Sequence, residues 1–271
     1  MALKLLRFGL QTCSCLLLFG MLSMNQTVLA AKTDGVLTLT INRPERRNAL
    51  DVATYLGLAE HIRGAGQDKE VRAIVLTGAE NYFTAGNDLK DFQGPRPDGD
   101  SAGIKFLRSL ADCDLPIVVA VEGSAIGIGV TLLQHCDFIY AAEDVTFKIP
   151  FVPLGLCPEG ASSMLMAQIV GSRRATDWLL RGRPFSAKEA LDADFITALS
   201  APGQALDDAQ AVANELAALP PQALQTSKRM LKHSLRPKIH AAFDYEWAHF
   251  NERLKSDEAQ AAFAAFLNKK K

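Results

Sequence analysis

The sequence predicts an α/β fold with ligand-binding loops gathered at one end of its strands. Two observations carry this. A strand, a glycine-bearing loop and a helix recur in step through the first half of the chain, and helical pattern takes over beyond Gly160. Apolar residues make up 48% of the 271 positions and charged residues 22%, sufficient for a large core and ordinary for a globular chain. A net charge of −1 leaves no basic footprint for nucleic acid.

Residues 1–23 stand apart. Lys4 and Arg7 precede the apolar run Cys15 to Met21, and Val28-Leu29-Ala30 has the small-residue form of an export cleavage site. A hairpin competes for the same residues: strands Val28 to Lys32 and Val36 to Asn42 flank Thr33-Asp34-Gly35, and D-G is a strong turn signal. Cleavage would then fall inside the first strand. Residues 1–23 are therefore read as a leader or a misassigned N-terminal extension before Met24, with an apolar run too short for a stable membrane span. The expected division is a ligand-binding core over 24–205 and a helical region over 206–271.

Along the core, Pro44 ends the second strand, and Asp51 caps a predicted helix from Val52 to Gly64. Val71 to Thr77 is a β-branched, buried strand ending at Gly78. Residues 94–103 hold two prolines and three glycines, which predicts a flexible loop or lid. The second unit repeats the plan: strand Pro116 to Val121, loop Glu122 to Gly129, the start of a buried helix at Val130 to Gln134, then strand Cys136 to Ala142.

Ser172 to Arg181 is amphipathic, and Ser186 to Glu189 has the form of a capping box. From Leu206 onward three or four helices are expected, two of them separated by Pro220-Pro221 and the last spanning Asp257 to Asn268. Their aromatic residues Phe243, Trp247, Phe250, Phe263 and Phe266 predict packing on a neighbouring subunit, with the chain's own core as the alternative.

Chemistry centres on Phe147 to Ser163. This apolar stretch, broken by prolines and glycines, carries a single carboxylate, Glu159. Burial there pushes an acid's pKa up towards neutrality and suits it to proton transfer. After Pro158 the same acid is equally suited to opening a helix. Two loops tip the balance towards chemistry. Small residues in Ala85-Gly86-Asn87 and Gly127-Ile128-Gly129 let backbone N–H groups approach one ligand oxygen, and the second loop opens a helix whose N-terminus favours negative charge. No Walker, dinucleotide, H-E-x-x-H or G-x-S-x-G pattern is present, so no metal and no nucleotide cofactor is expected. The five cysteines lack metal-binding spacing and read as reduced thiols of a reducing compartment. His135 reads as a core histidine. Lys228 and Arg229 read either as partners of ligand phosphates or as a solvated helix face.

N-R-P-E-R-R-N-A-L, F-T-A-G-N-D-L, A-V-E-G-S-A-I-G-I-G and P-F-V-P-L-G-L, in that order, resemble the crotonase (enoyl-CoA hydratase/isomerase) superfamily from about Val28 to about Leu267. The resemblance implies a spiral of ββα units with a helical C-terminal region and assembly as a homotrimer or hexamer. It also implies an acyl-CoA thioester substrate that brings the only coenzyme. The backbone N–H groups of Asn87 and Ile128 would form the oxyanion hole. Ala85, Gly86, Asn87, Asp88, Leu89 and Phe151 would contact substrate, although Asp88 is as readily a loop cap.

The family's hydratases use two glutamates, and here Thr131 and Phe151 stand in their places. P-F-x-x-L-G-x-x-P-E-G-x-S-S instead resembles the Δ3,Δ2-enoyl-CoA isomerase branch, which implies that Glu159 is the catalytic base. Phe151, Val152 and Leu154 would wall out water. The chain ends in Lys-Lys-Lys rather than a peroxisomal S-K-L, so the expected location is cytoplasmic, or organellar or exported if 1–23 act as a leader. A non-catalytic acyl-CoA-binding module on the same fold is the alternative of another class.

Overall fold

The computed structural model describes residues 27–93 and 99–268. The expectations for 1–23, for the final lysines and for the 94–98 part of the loop lie outside the described residues. Strands β1 (Val28–Thr33) and β2 (Val36–Ile41) form the expected hairpin, antiparallel with Thr33 opposite Val36. Asp34 and Gly35 both take positive φ, +50° and +82°, as a two-residue turn matched to strand twist requires.

β3 (Ala73–Gly78), β4 (Ile117–Val121), β6 (Phe138–Ala142) and β9 (Ala198–Ser200) then add in parallel, giving a six-stranded sheet of order β1-β2-β3-β4-β6-β9. One face is covered by α7 (Ala205–Ala218). Its Ala205, Ala209, Ala213 and Ala217 recur every fourth residue and lie against Val36, Val75, Val118 and Ala120. The other face carries the main core, including Leu39, Leu76, Val119 and helices α1 (Val52–Ala65) and α2 (Ala102–Asp112). Asp51 caps α1, accepting the Thr54 N–H at 2.8 Å. Ser101 caps α2, so helix begins inside the segment expected to be a loop.

A second, three-stranded sheet of order β5-β7-β8 joins Ser124–Ile126, Thr146–Lys148 and Pro184–Ser186. Residues 124–126, expected to be loop, are thus strand: three residues between glycines are too few for a periodicity to register. Beyond them lie α3 (Ile128–Thr131), α4 (Ser162–Val170), α5 (Ser172–Arg181) and α6 (Ala187–Leu191), the last opened by the predicted capping box.

Four helices follow from Ala205: α7, α8 (Pro221–Lys232), α9 (Arg236–Leu254) and α10 (Asp257–Asn268). Phe243, Phe250 and Phe263 are buried in the chain's own core and Trp247 packs against it, which corrects the expectation that a second subunit was needed to cover them. Lys228 is also corrected. It is buried, and its ammonium donates to the Leu115 carbonyl and to Asp137, the latter at 2.6 Å, so it faces neither solvent nor a ligand. Among the described residues no helix is long and apolar enough to cross a membrane.

Candidate active site

The loops after β3 and β4 run side by side. Phe83 N–H donates to the Glu122 carbonyl, Thr84 N–H to that of Ser124, and Ile126 N–H to that of Thr84, at 2.8–3.1 Å. Gly86 is required here, because its φ is +81° and a Cβ would lie 2.4 Å from the Ile126 carbonyl oxygen. Leu50 bridges the first loop: its N–H donates to the Gly86 carbonyl, and the Leu50 carbonyl accepts the Asp88 N–H. In such a parallel bridge the N–H of the middle residue, Asn87, turns away from Leu50. Ile128 opens α3, so its N–H has no acceptor within the helix. Among the described residues neither N–H is engaged in a hydrogen bond. Because α3 is a single turn, its macrodipole adds little, and a charge placed here would depend on the two N–H groups themselves.

Asn87, Ile128 and Glu159 meet in one cavity of about 340 Å³, walled by Leu50, Tyr55, Trp247 and Phe250. The Tyr55 hydroxyl donates to Asn87 Oδ1 at 2.6 Å and so holds the side chain of a residue that lines the cavity. Glu159 is 7% exposed. Burial pushes its carboxyl up to about 8, the Thr131 hydroxyl opposes the rise by donating to Oε1 at 2.6 Å, and the charge of Glu246 adds to it. The helix beyond it starts only at Ser162, so Glu159 is not a first-turn acid.

The turn Glu159–Gly160–Ala161 is shaped by its contacts. Gly160 takes φ +76°, and a Cβ there would come within 2.9 Å of Thr131 Oγ1. His135 Nε2 lies 2.9 Å from the Gly160 carbonyl; an oxygen that can only accept makes this nitrogen the protonated one. The ring is buried and its pKa is lowered to about 4, chiefly by burial, so it is neutral. His135 is thus a core residue, though one that supports the Glu159 turn.

Other expected ligand contacts lie elsewhere. Phe151 is buried behind the cavity, its ring edge-on to Phe250 at 6.1 Å, and it is Phe250 that forms the wall. Val152 is 43% exposed and turned to solvent, which corrects the expected barrier to water. Asp88 pairs with Arg43 at 3.1 Å, and Arg43 also holds Asp51. Ala85 N–H donates to the Arg47 carbonyl, and Leu89 packs against the core. Tyr55, Trp247 and Phe250 were not singled out as site residues from sequence: Trp247 and Phe250 read there as packing residues of the C-terminal helices, and no motif marks Tyr55 in α1. An open cleft of about 690 Å³ beside α5 is lined by Arg183 already held by Asp177 and Glu189, and no buried acid faces it.

A family model described as enoyl-CoA hydratase/isomerase matches residues 31–271. The chain belongs to the enoyl-CoA hydratase/isomerase family. A crystal structure of an enoyl-CoA hydratase/isomerase from Pseudoalteromonas atlantica T6c superposes with a TM-score of 0.87 at 39% identity, covering 90% of this chain and 98% of that one. The family's crotonase-like fold is therefore the fold of this protein. Human enoyl-CoA delta isomerase 2 is 32% identical over 253 residues, 90% of this chain. The chain spans 64% of that relative's length. A probable enoyl-CoA hydratase of Rhizobium meliloti is also 32% identical, over 92% of this chain and 98% of its own.

Proposed function

We propose that this member of the family is an acyl-CoA enzyme, and that it moves the double bond of a 3-enoyl-CoA to the 2-position. One observation carries the reading: a single buried carboxylate, held near neutrality, shares a cavity with two unengaged backbone N–H groups, while Thr131 and Phe151 occupy the positions of the hydratase acids. The thioester carbonyl oxygen sits on the N–H groups of Asn87 and Ile128. Ionised Glu159 removes a proton from carbon 2; the C–H pair forms the C1–C2 double bond as the carbonyl π pair moves to oxygen, giving a dienolate, and the C2–C3 double bond forms when carbon 4 takes the proton. Each backbone donor contributes about 3–4 kcal/mol to such an anion in comparable sites. The protonated Glu159 then returns its proton to carbon 4, leaving the conjugated 2-enoyl-CoA and a carboxylate. No cofactor enters beyond the coenzyme A of the substrate.

Similarity to a relative named enoyl-CoA delta isomerase supports this choice, and similarity to one named as a hydratase makes hydration the competing outcome. Assembly as a homotrimer or hexamer belongs to the same reading and is supported by Met230 and Leu231 standing outward on α8 at 74% and 79% exposure. The unbridged Cys113, Cys136 and Cys157 support a reducing compartment, with the cytoplasm proposed. The deciding assay offers the purified chain a 3-enoyl-CoA and, separately, a short 2-enoyl-CoA. Conversion of the first with little hydration of the second is expected. Dominant hydration would overturn the isomerase reading, and tight binding without turnover would make the chain an acyl-CoA-binding module.

A further inference from the structure

We infer that Glu246 is a positioning residue for Glu159, clamping the turn that carries the base from a helix 85 residues downstream. The inference rests on the isomerase reading for its kinetic consequence, but the clamp itself is a matter of geometry. Glu246 lies on α9 and is 3% exposed. Its Oε2 accepts the Ala161 N–H at 2.6 Å and its Oε1 the Ser163 N–H at 2.8 Å. These are orphan donors at the start of α4, and Ala161, the N-cap, has no side-chain acceptor of its own to satisfy them.

Ala161 is also strained. With φ +59° and ψ 17° it sits in the left-handed region directly after Gly160 at φ +76°. A residue bearing a Cβ holds that conformation only where its surroundings impose it. Glu246 imposes it on the amide side, while His135 holds the Gly160 carbonyl and the Ser162 hydroxyl donates to the Glu159 carbonyl at 2.7 Å. The backbone on which Glu159 stands is therefore fixed from α9 and from the residues beyond α3, independently of the Thr131 contact to its carboxylate.

The same helix supplies Trp247 and Phe250 to the cavity wall, so one element sets both the wall and the base. Titratable groups around the two glutamates are Cys157 from the preceding segment, which Arg253 of α9 also influences, Tyr55 from α1, and the neutral His135 on the Gly160 carbonyl. Burial raises the Glu246 carboxyl too, and where it is ionised its charge raises Glu159, so the clamp carries a smaller electrostatic effect with it.

The experiment compares the full chain with E246Q and with S163P. Glutamine can accept one of the two N–H groups but meets the other with an amide. Proline at the second helical residue, where a first helical turn tolerates it, deletes the Ser163 N–H and also the Ser163 hydroxyl that donates to Glu246, leaving the Ala161 N–H in place. Folding is checked by circular dichroism and melting. In E246Q, kcat on 3-enoyl-CoA should fall by about tenfold or more with KM within about threefold, and S163P should fall in the same direction by less. The Glu159 carboxyl, followed by carbon-13 resonance and assigned with E159Q, should titrate lower by about half a pH unit or more in E246Q. Folded variants with parental kcat and parental Glu159 titration would overturn the clamp. Should E246Q fail to fold, S163P decides on kcat, and a parental kcat in folded S163P overturns the clamp. If the parent does not turn over 3-enoyl-CoA, the functional reading fails, and the titration still judges the clamp.

Discussion

Glu122 and Glu159 are both buried glutamates in loops that follow strands, yet the molecule treats them oppositely. Glu122, 9% exposed at the end of β4, accepts the Gly203 and Ala205 N–H groups at 3.2 and 3.0 Å and so ties the start of α7 to the sheet. Both of its oxygens are committed to backbone donors. Glu159 receives one hydroxyl and faces a cavity, with a second carboxylate nearby in place of a cation. A buried acid whose two oxygens are both met by backbone donors serves the framework. One that is short of donors keeps its proton and becomes available for chemistry.

The contrast breaks most sharply if each carboxyl group is replaced in turn. E159Q should fold and lose roughly a thousandfold in turnover on 3-enoyl-CoA, the range for a missing general base. E122A should keep kcat within about twofold while costing about 1–3 kcal/mol of unfolding free energy, because the buried Ala205 N–H at the start of α7 is left unmet and the bond from Gly203 is lost. Denaturant titration and initial rates on the two variants check both. Equal losses of activity would erase the distinction.

A second test acts on the framework alone. Ala213 lies on the alanine stripe between α7 and the sheet. A213L should destabilise by about 1–3 kcal/mol through overpacking, with turnover per folded molecule unchanged.

A subtler test removes the one donor Glu159 has. T131V keeps the side-chain size and takes away the hydroxyl, so the Glu159 pKa should rise further and turnover at neutral pH fall several-fold. The rate–pH profile would show its rising limb moved to higher pH. In the parent that limb should lie near pH 8, because about one carboxyl in ten is ionised at pH 7 if the value is about 8.

Stability should carry the opposite sign. Folded Glu159 keeps its proton to about pH 8, whereas an ordinary glutamate loses it near 4.5, so between these values the unfolded chain has released a proton that the folded chain still holds. The acid's favourable contribution is whole below about pH 4.5 and is lost as the pH rises through 8. The melting temperature of E159Q should therefore climb relative to the parent between about pH 5 and pH 9. A constant difference across that range would mean Glu159 titrates normally.

Much of the site was legible because its signals are local. Asp34-Gly35, the Asp51 cap and the Ser186–Glu189 capping box act over two to four residues, and the structure contains all of them. The loops holding Asn87 and Ile128 were marked by their small residues and Glu159 by its apolar neighbours, the two individual N–H groups following from the family resemblance, and the three residues share one cavity.

By itself the sequence determined the hairpin, the strand–loop–helix recurrence and which short stretches could carry the reaction, since each follows from backbone preference or neighbouring residues. Tertiary structure alone decided that Phe250 rather than Phe151 forms the wall, that Lys228 is buried on Asp137, and that Glu246 reaches Ala161 from 85 residues away. Those outcomes depend on where α8 and α9 pack, and a glutamate, a lysine or a phenylalanine on an amphipathic helix looks the same until that packing fills the space around it.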